Sequence, residues 1–215
     1  MLFDKKMSLF TDRHAPAIVK AFDFSGVGTL VDVGGGRGSF IIEILKTFPD
    51  VRGILYDRPE VTPDATKCIE RAGLSDRCDV ATGSFLESVP ESGDAYVFKH
   101  VFHDWDDGNV LKMLQNCRRV MDEGDTLFVV EGFVGHRLFD WDGFRRWCDV
   151  YQMMCLSGKE RTLDEMHDLL SRAGFEMVSL TPTSIVDVSV LKTKAIKAPA
   201  IAASAATEST PTASI

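Results

Sequence analysis

Short apolar runs and amphipathic stretches alternate along the first 130 residues of the chain. TLVDV (29–33), VRGILYD (51–57), CDVATG (78–83), DAYVFK (94–99) and DTLFVVEGF (125–133) are strand-like. GSFIIEILKTF (38–48), PDATKCIERAG (63–73) and DGNVLKMLQNCRRVM (107–121) carry apolar residues at helical spacing between them. Strands of continuous apolar character separated by helices predict a parallel sheet covered on both faces, an α/β architecture. A leading helix is expected over 10–22, with Thr11 or Asp12 as its N-cap and SGVG as its stop, so that residues 1–24 form a leading helical segment.

Past Glu131 the rhythm changes. GHRLFDWDGFRRWCDVYQMMCL is aromatic and mixed in charge, and its second half reads as a helix with Phe144, Trp147, Cys148 and Tyr151 on one side. TLDEMHDLLSRAGF predicts a helix with Thr162 as N-cap, Glu165 at the capping-box position and Gly174 as the stop. FEMVSL (175–180) and SIVDVSVL (184–191) are expected to pair as a hairpin at one sheet edge. From Ala195 onward the composition collapses to Ala, Ser, Thr and Pro, which predicts a disordered tail over 195–215 and a folded domain over 25–194.

The totals narrow the function classes. A chain of 215 residues suits one domain. A net charge of −8 disfavours a surface built to neutralise phosphates, so no nucleic-acid partner is expected. No apolar run reaches the roughly 18 residues of a membrane span, and MLFDKKMSLFTDRH lacks the apolar core of a signal peptide; the expectation is a cytoplasmic protein with no membrane association. Five scattered cysteines without a C-x-x-C pair read as reduced thiols.

VDVGGGRGSF places Gly34, Gly35, Gly36 and Gly38 between a strand and a helix, where backbone can approach a ligand and the helix end offers free N–H groups. The next strand ends in Asp57, whose carboxylate could accept hydrogen bonds from both hydroxyls of a ribose. The loop reads G-x-G-x-G and misses the third glycine of the dinucleotide fingerprint, because Ser39 and Ile41 stand where glycine or alanine is required. That disfavours a nicotinamide dehydrogenase and favours S-adenosylmethionine. A second crowded stretch, KHVFHDWDD (99–107), leaves three uses open: a metal site from His100, His103 and Asp104, a solvated turn, or a catalytic base with its supports. No further ligand cluster recommends the metal, and none is expected. Asp106 and Asp107 suit the N-terminus of the helix that follows.

LVDVGGGRGSF, YDRPEV, ATGSFLESVPESGDAYVFKHVFHDWDD, LQNCRRVM, LFVVEGF and GKERTLDEMHDLLSRAGF, in this order, resemble the class I S-adenosylmethionine-dependent O-methyltransferases of the caffeate, hydroxyindole and bacterial polyketide-tailoring type. The resemblance covers most of residues 25–193. It implies a Rossmann-like, doubly wound, mostly parallel seven-stranded sheet with a C-terminal antiparallel hairpin, and S-adenosyl-L-methionine as cofactor. Gly34 and Gly36 then match the family's site for the methionine carboxylate and ribose, and Asp57 its ribose ligand. Ser84 stands where the family commonly has an acid that meets the adenine amino group; Phe85 would pack on the adenine. Lys99 matches a lysine that helps to hold the cofactor, and Trp105 an aromatic beside it.

The same resemblance makes His103 the catalytic base, with Glu131 and Glu160 as the flanking glutamates; Asp104, adjacent in sequence, ranks below them. The chemistry is consistent: a phenol with a pKa of about 10 must lose its proton, and an imidazole with an ordinary pKa of about 6.5 is mostly neutral at pH 7 and can take it. Trp147, Tyr151, Met153 and Met154 lie where the family places contacts to a small aromatic hydroxyl substrate, although core packing is the stronger expectation for each. The family's N-terminal helical, winged-helix-like region makes the dimer and part of the substrate wall, and the chain is expected to start just after it. The expectation is therefore a fragment, a truncated gene product, or a protein that takes the wall from a homodimer or another partner chain. The alternative expectation is a catalytically impaired cofactor-binding domain that acts by association.

Overall fold

The computed structural model describes residues 14–135, 150, 154, 157–185 and 188–197. Helix α1 spans residues 14–21. It is followed by β1 (Thr29–Val33), α2 (Ser39–Thr47), β2 (Arg52–Asp57), α3 (Thr62–Arg71), β3 (Cys78–Thr82), β4 (Ala95–Lys99), a 3-10 turn (Phe102–Asp104), α4 (Asp107–Val120), β5 (Thr126–Glu131), β6 (Phe133–Val134), β7 (Arg161–Thr162), α5 (Leu163–Ala173), β8 (Phe175–Pro182) and β9 (Ser189–Ala195). The main sheet has seven strands in the order β3-β2-β1-β4-β5-β9-β8, and β6 pairs with β7 in a two-stranded sheet of its own. Pairing is parallel from β3 through β5; β9 runs antiparallel to both β5 and β8. This is the Rossmann-like, mostly parallel sheet with a C-terminal hairpin that the resemblance implies.

Period-two alternation explains why both faces are covered. Val31, Val33, Tyr96, Phe98, Leu127 and Val129 point to one apolar layer, which α4 and α5 close with Met113, Leu114, Leu169 and Leu170. Leu30, Leu55, Val97, Phe128 and Val130 point to the other, closed by Ile18 of α1, Ile41 and Ile44 of α2, and Ile69 of α3. Such a sheet leaves its strand ends as the places where polar side chains can gather. At the carboxyl ends of β1, β2, β4 and β5 sit Asp32, Asp57, Lys99 and Glu131.

α5 starts as its sequence dictates. The Thr162 hydroxyl accepts from the N–H of Glu165, and the Glu165 carboxylate accepts from the N–H of Thr162, a complete capping box, while Gly174 closes the helix at φ 87°. Thr162→Ala is expected to cost about 1 kcal/mol of stability, read as a lower denaturant midpoint with an unchanged slope.

Two expectations are corrected. The run 125–133 does not form one strand: β5 stops at Glu131, and Phe133–Val134 leave to pair with Arg161–Thr162. The second hairpin strand is Ser189–Ala195 rather than 184–191, because Thr183 closes the connection. Its hydroxyl donates to the carbonyl of Val188 at 2.8 Å and accepts from the N–H of Ile185 at 3.1 Å. The strand then runs on through Lys-Thr-Lys-Ala, and Ala195, the first residue of the expected tail, is buried in β9. The remainder of that tail beyond Lys197, the N-cap candidates Thr11 and Asp12, and most of the aromatic segment 136–156 lie outside the described residues. No helix among the described residues is long and apolar enough to cross a membrane.

Candidate functional site

The glycine turn leaves β1 and folds back over β2. The N–H of Gly34 donates to the carbonyl of Tyr56 at 2.8 Å, and the N–H of Gly36 donates to Oδ2 of Asp57 at 2.8 Å, so turn and acid are fixed to each other. Asp57 Oδ1 accepts from the N–H of Arg58 at 2.7 Å, so backbone N–H groups from two sides orient the carboxylate. Gly36 has φ 59°, and a Cβ built on it meets nothing within 4 Å. The backbone there faces an open cradle that only a glycine leaves clear. Beneath it, Asp32 is 1% exposed, and its Oδ2 has no hydrogen-bond partner. Burial pushes its carboxyl up to about 7, which the charge of Lys99 tempers.

The other cofactor-side candidates converge on the same edge. Phe85 packs edge-on against Trp105 at 5.8 Å between ring centroids, and its Cε1 lies 3.7 Å from where a side chain on Gly34 would begin. Ser84 opens the turn after β3, its carbonyl accepting from the N–H groups of Glu87 and Ser88. Lys99 ends β4; burial lowers its pKa, while Asp32 and Glu131 favour its charge, and its Nζ lies 6.0 Å from the centre of the Phe40 ring. The residues therefore fit a ligand with a ribose, an aromatic base and an amino acid end. An anionic end would meet Lys99.

His103 lies one strand further along. β4 ends at Lys99, His100 turns the backbone at φ 53°, a conformation that costs a non-glycine residue strain, and the 3-10 turn then presents His103. Its Nδ1 is 3.3 Å from Oε1 of Glu160 and 3.6 Å from Oε2 of Glu131, and its Nε2 is 3.4 Å from Oδ1 of Asp104. Glu131 does more than face the imidazole: its Oε1 accepts from the N–H groups of Val101 at 2.9 Å and Phe102 at 3.0 Å, fixing the turn that carries His103. Its Oε2 makes no hydrogen bond but lies 3.5 Å from Nδ1 of His100.

Burial opposes the charge on His103, but Glu131, then Glu160 and Asp104, outweigh it and raise the imidazole to about 9. This corrects the expectation of an ordinary, mostly neutral imidazole at pH 7. Conversely, burial opposes ionisation of Glu131, yet His103, His100 and the N–H of Phe102 hold its carboxyl down at about 2. His100, which had no expected role, stacks on His103 at 5.5 Å and is pushed by burial to about 4, so it stays neutral beside Glu131. His100, His103 and Glu131 each bring one ligand atom within 4.8 Å of the others, a set a transition metal could use. A metal there would have to displace the contacts that orient His103.

Sequence reasoning ranked Asp104 below the glutamates because neighbouring side chains diverge; the turn instead folds it back onto Nε2, opposite the nitrogen that meets the glutamates. It also missed Arg161, which is 3% exposed and donates to the carbonyls of Phe102 and Trp105 and to Asp107. No spacing rule links residues that far apart. Trp147, Tyr151 and Met153 lie outside the described residues, and Met154 is 80% exposed.

Three comparisons bear on this arrangement. A family profile for an O-methyltransferase domain matches residues 2–176. A phenazine O-methyltransferase (PhzM) of Lysobacter antibioticus is 37% identical over 185 residues, which cover 85% of this chain and 53% of that protein. An 8-amino-8-demethylriboflavin N,N-dimethyltransferase of Streptomyces davaonensis is 31% identical, over 86% of this chain and 52% of the relative. The chain thus spans about half the length of the curated relatives it matches. Among solved structures, an O-methyltransferase (NcsB1) from neocarzinostatin biosynthesis, in complex with S-adenosyl-L-homocysteine and 1,4-dihydroxy-2-naphthoic acid, superposes with a TM-score of 0.81 at 29% identity, covering 90% of this chain and 57% of that one. A profile match running from ahead of α1 into β8, on a sheet whose strand ends carry the glycine turn and the caged histidine, places the chain in the O-methyltransferase domain family.

Proposed function

We propose that this chain is the S-adenosylmethionine-binding, catalytic part of a methyltransferase that moves a methyl group to a hydroxyl, most simply a phenolic one, of a small aromatic or polyketide-like molecule, with His103 as the general base. The observation that carries the reading is the placement of a carboxylate-caged imidazole beside a glycine cradle at the carboxyl edge of one sheet.

When bound, the cofactor supplies a methyl group on a sulfonium sulfur, ready for displacement. Gly34 and Gly36 would let the backbone meet it, Asp57 would accept from its ribose hydroxyls, Ser84 would meet the adenine amino group in place of an acid, Phe85 would cover the ring, and Lys99 would balance its carboxylate. His103 takes the acceptor proton at Nε2 while Nδ1 donates to Glu160, which fixes the tautomer. Glu131 and Glu160 stabilise the imidazolium that results. With a pKa near 9, the base lies close to a phenol at about 10, so the proton moves between nearly matched partners. An amine acceptor would surrender its proton to the same group, and one relative carries an N-methyltransferase name.

Titration calorimetry with S-adenosylmethionine and with NAD, followed by methyl-transfer assays over a phenolic and arylamine panel, tests the reading. Binding of the first alone, with transfer to at least one phenol, is the expected result; binding without transfer to any acceptor, with or without added partner, would favour a cofactor-binding domain that acts by association. Gly36→Ala probes the cradle. The added methyl sits on a backbone already left-handed at φ 59°, at a cost of about 1–2 kcal/mol, and would intrude on the ligand, so cofactor affinity should fall by roughly tenfold or more while the chain still folds.

A further inference from the structure

We propose that Arg161 is a positioning residue for the base: its guanidinium ties the turn that carries His103 to the segment that carries Glu160, and so sets the contact between the two. The inference rests on the reading of His103 as base, and its test separates the two.

The guanidinium spends its donors on one short stretch. Nη1 donates to the carbonyl of Phe102 at 2.7 Å, Nη2 to that of Trp105 at 2.7 Å, and Nε to Oδ1 of Asp107 at 2.9 Å. These acceptors bracket His103 on both sides. A planar fork of fixed geometry reaches such a set, whereas a lysine ammonium acts as a single point charge. The Arg161 side chain is 3% exposed and that of Asp107 is 49% exposed, so the ion pair alone gives little net stability. The two carbonyl contacts are what the geometry adds.

The other end of the clamp is equally fixed. Arg161 pairs with Phe133 in the β6–β7 ladder, directly downstream of the strand that ends in Glu131. Glu160 is its neighbour in sequence, so a slip of the Arg161 fork moves Glu160 relative to His103. Gly158 lies flat on the same turn: a Cβ there would collide with the carbonyl oxygen of His103. Lys159 adds ion pairs to Asp107 at 3.1 Å and Glu165 at 3.0 Å. Residues 158–161 thus grip residues 102–107 through backbone contact, fork and charge. A role confined to stability would not require the grip to centre on the one residue whose nitrogens must be aimed.

The test is the titration of His103, followed by NMR through its imidazole resonances, assigned by their loss in His103→Gln, in the full chain and in Arg161→Lys. The wild type should titrate near 9, and Arg161→Lys should titrate lower by about one unit, a tenfold change in the protonation equilibrium, as the imidazole drifts from Glu160. In the transfer assay at a pH above both titrations, where the imidazole is neutral in each protein, the variant should lose roughly tenfold or more in kcat with the KM for cofactor unchanged. If Arg161→Lys does not fold, Asp107→Asn, altered at a half-exposed carboxylate, should give a smaller shift of the same sign. A lowered melting temperature with wild-type titration of His103 and wild-type kcat would overturn the proposal. A titration shift in a chain that transfers no methyl group would uphold the clamp and sink the reading of His103 as base.

Discussion

His103→Ala is expected to reduce methyl transfer by about two to four orders of magnitude while leaving S-adenosylmethionine affinity within roughly twofold of wild type. The first half follows from the role of a positioned base, which contributes about 10²–10⁴ in rate. The second follows from geometry: the cofactor-side turn is fixed by the bond from the Gly36 N–H to Asp57, in which His103 has no part. Steady-state kinetics and calorimetry on the same preparation check both. Wild-type turnover in the variant would remove His103 from the mechanism. Loss of cofactor binding would mean instead that the imidazole builds the cradle.

The second large effect belongs to Glu131, and two substitutions separate its tasks. Glu131→Ala leaves the buried N–H groups of Val101 and Phe102 without their acceptor and His103 without a counter-charge, and is expected to cost about 3–5 kcal/mol, read in denaturant unfolding. Glu131→Gln keeps an oxygen for both N–H groups and removes the charge. It should fold, with the titration of His103 displaced toward the ordinary 6.5.

Linkage gives the pH signature of this pair. The stability from the raised pKa of His103 is fully present below about 6.5 and is lost as pH rises through 9. That from the depressed pKa of Glu131 is present above 4.5 and is lost as pH falls through 2. In Glu131→Gln the acid limb from Glu131 should vanish from a plot of stability against pH, and the alkaline decline from His103, which still begins near 6.5, should shrink and end at a lower pH. A variant whose curve overlays that of wild type would show that the glutamate charge is not coupled to the imidazole.

The inner strands of the parallel half were legible because they are buried on both faces, and continuous apolar runs such as TLVDV and AYVFK admit few other uses. α5 was legible to the residue because Thr162, Glu165 and Gly174 each carry a local mechanism. The end of β9 was not, since Lys-Thr-Lys-Ala has no apolar run and becomes a strand only between β5 and β8. At the site, Asp57 and the glycines follow from local strand-turn-helix logic, while His103, Glu131 and Glu160 entered through family resemblance. The protonation of His103 could not be read from sequence, because it depends on three carboxylates drawn from two distant segments and a neighbour. Arg161 was hidden for the same reason: its partners are mostly backbone carbonyls, which sequence does not mark.

The dependence of kcat/KM on pH in the wild-type chain, measured with a phenol that it methylates, tests the caged base most directly. If the proton must leave a His103 held near 9 by Glu131, Glu160 and Asp104, the value should climb about tenfold per pH unit from neutrality and level off near pH 9. A profile that levels near 6.5, or shows no limb below the pKa of the phenol, would contradict it.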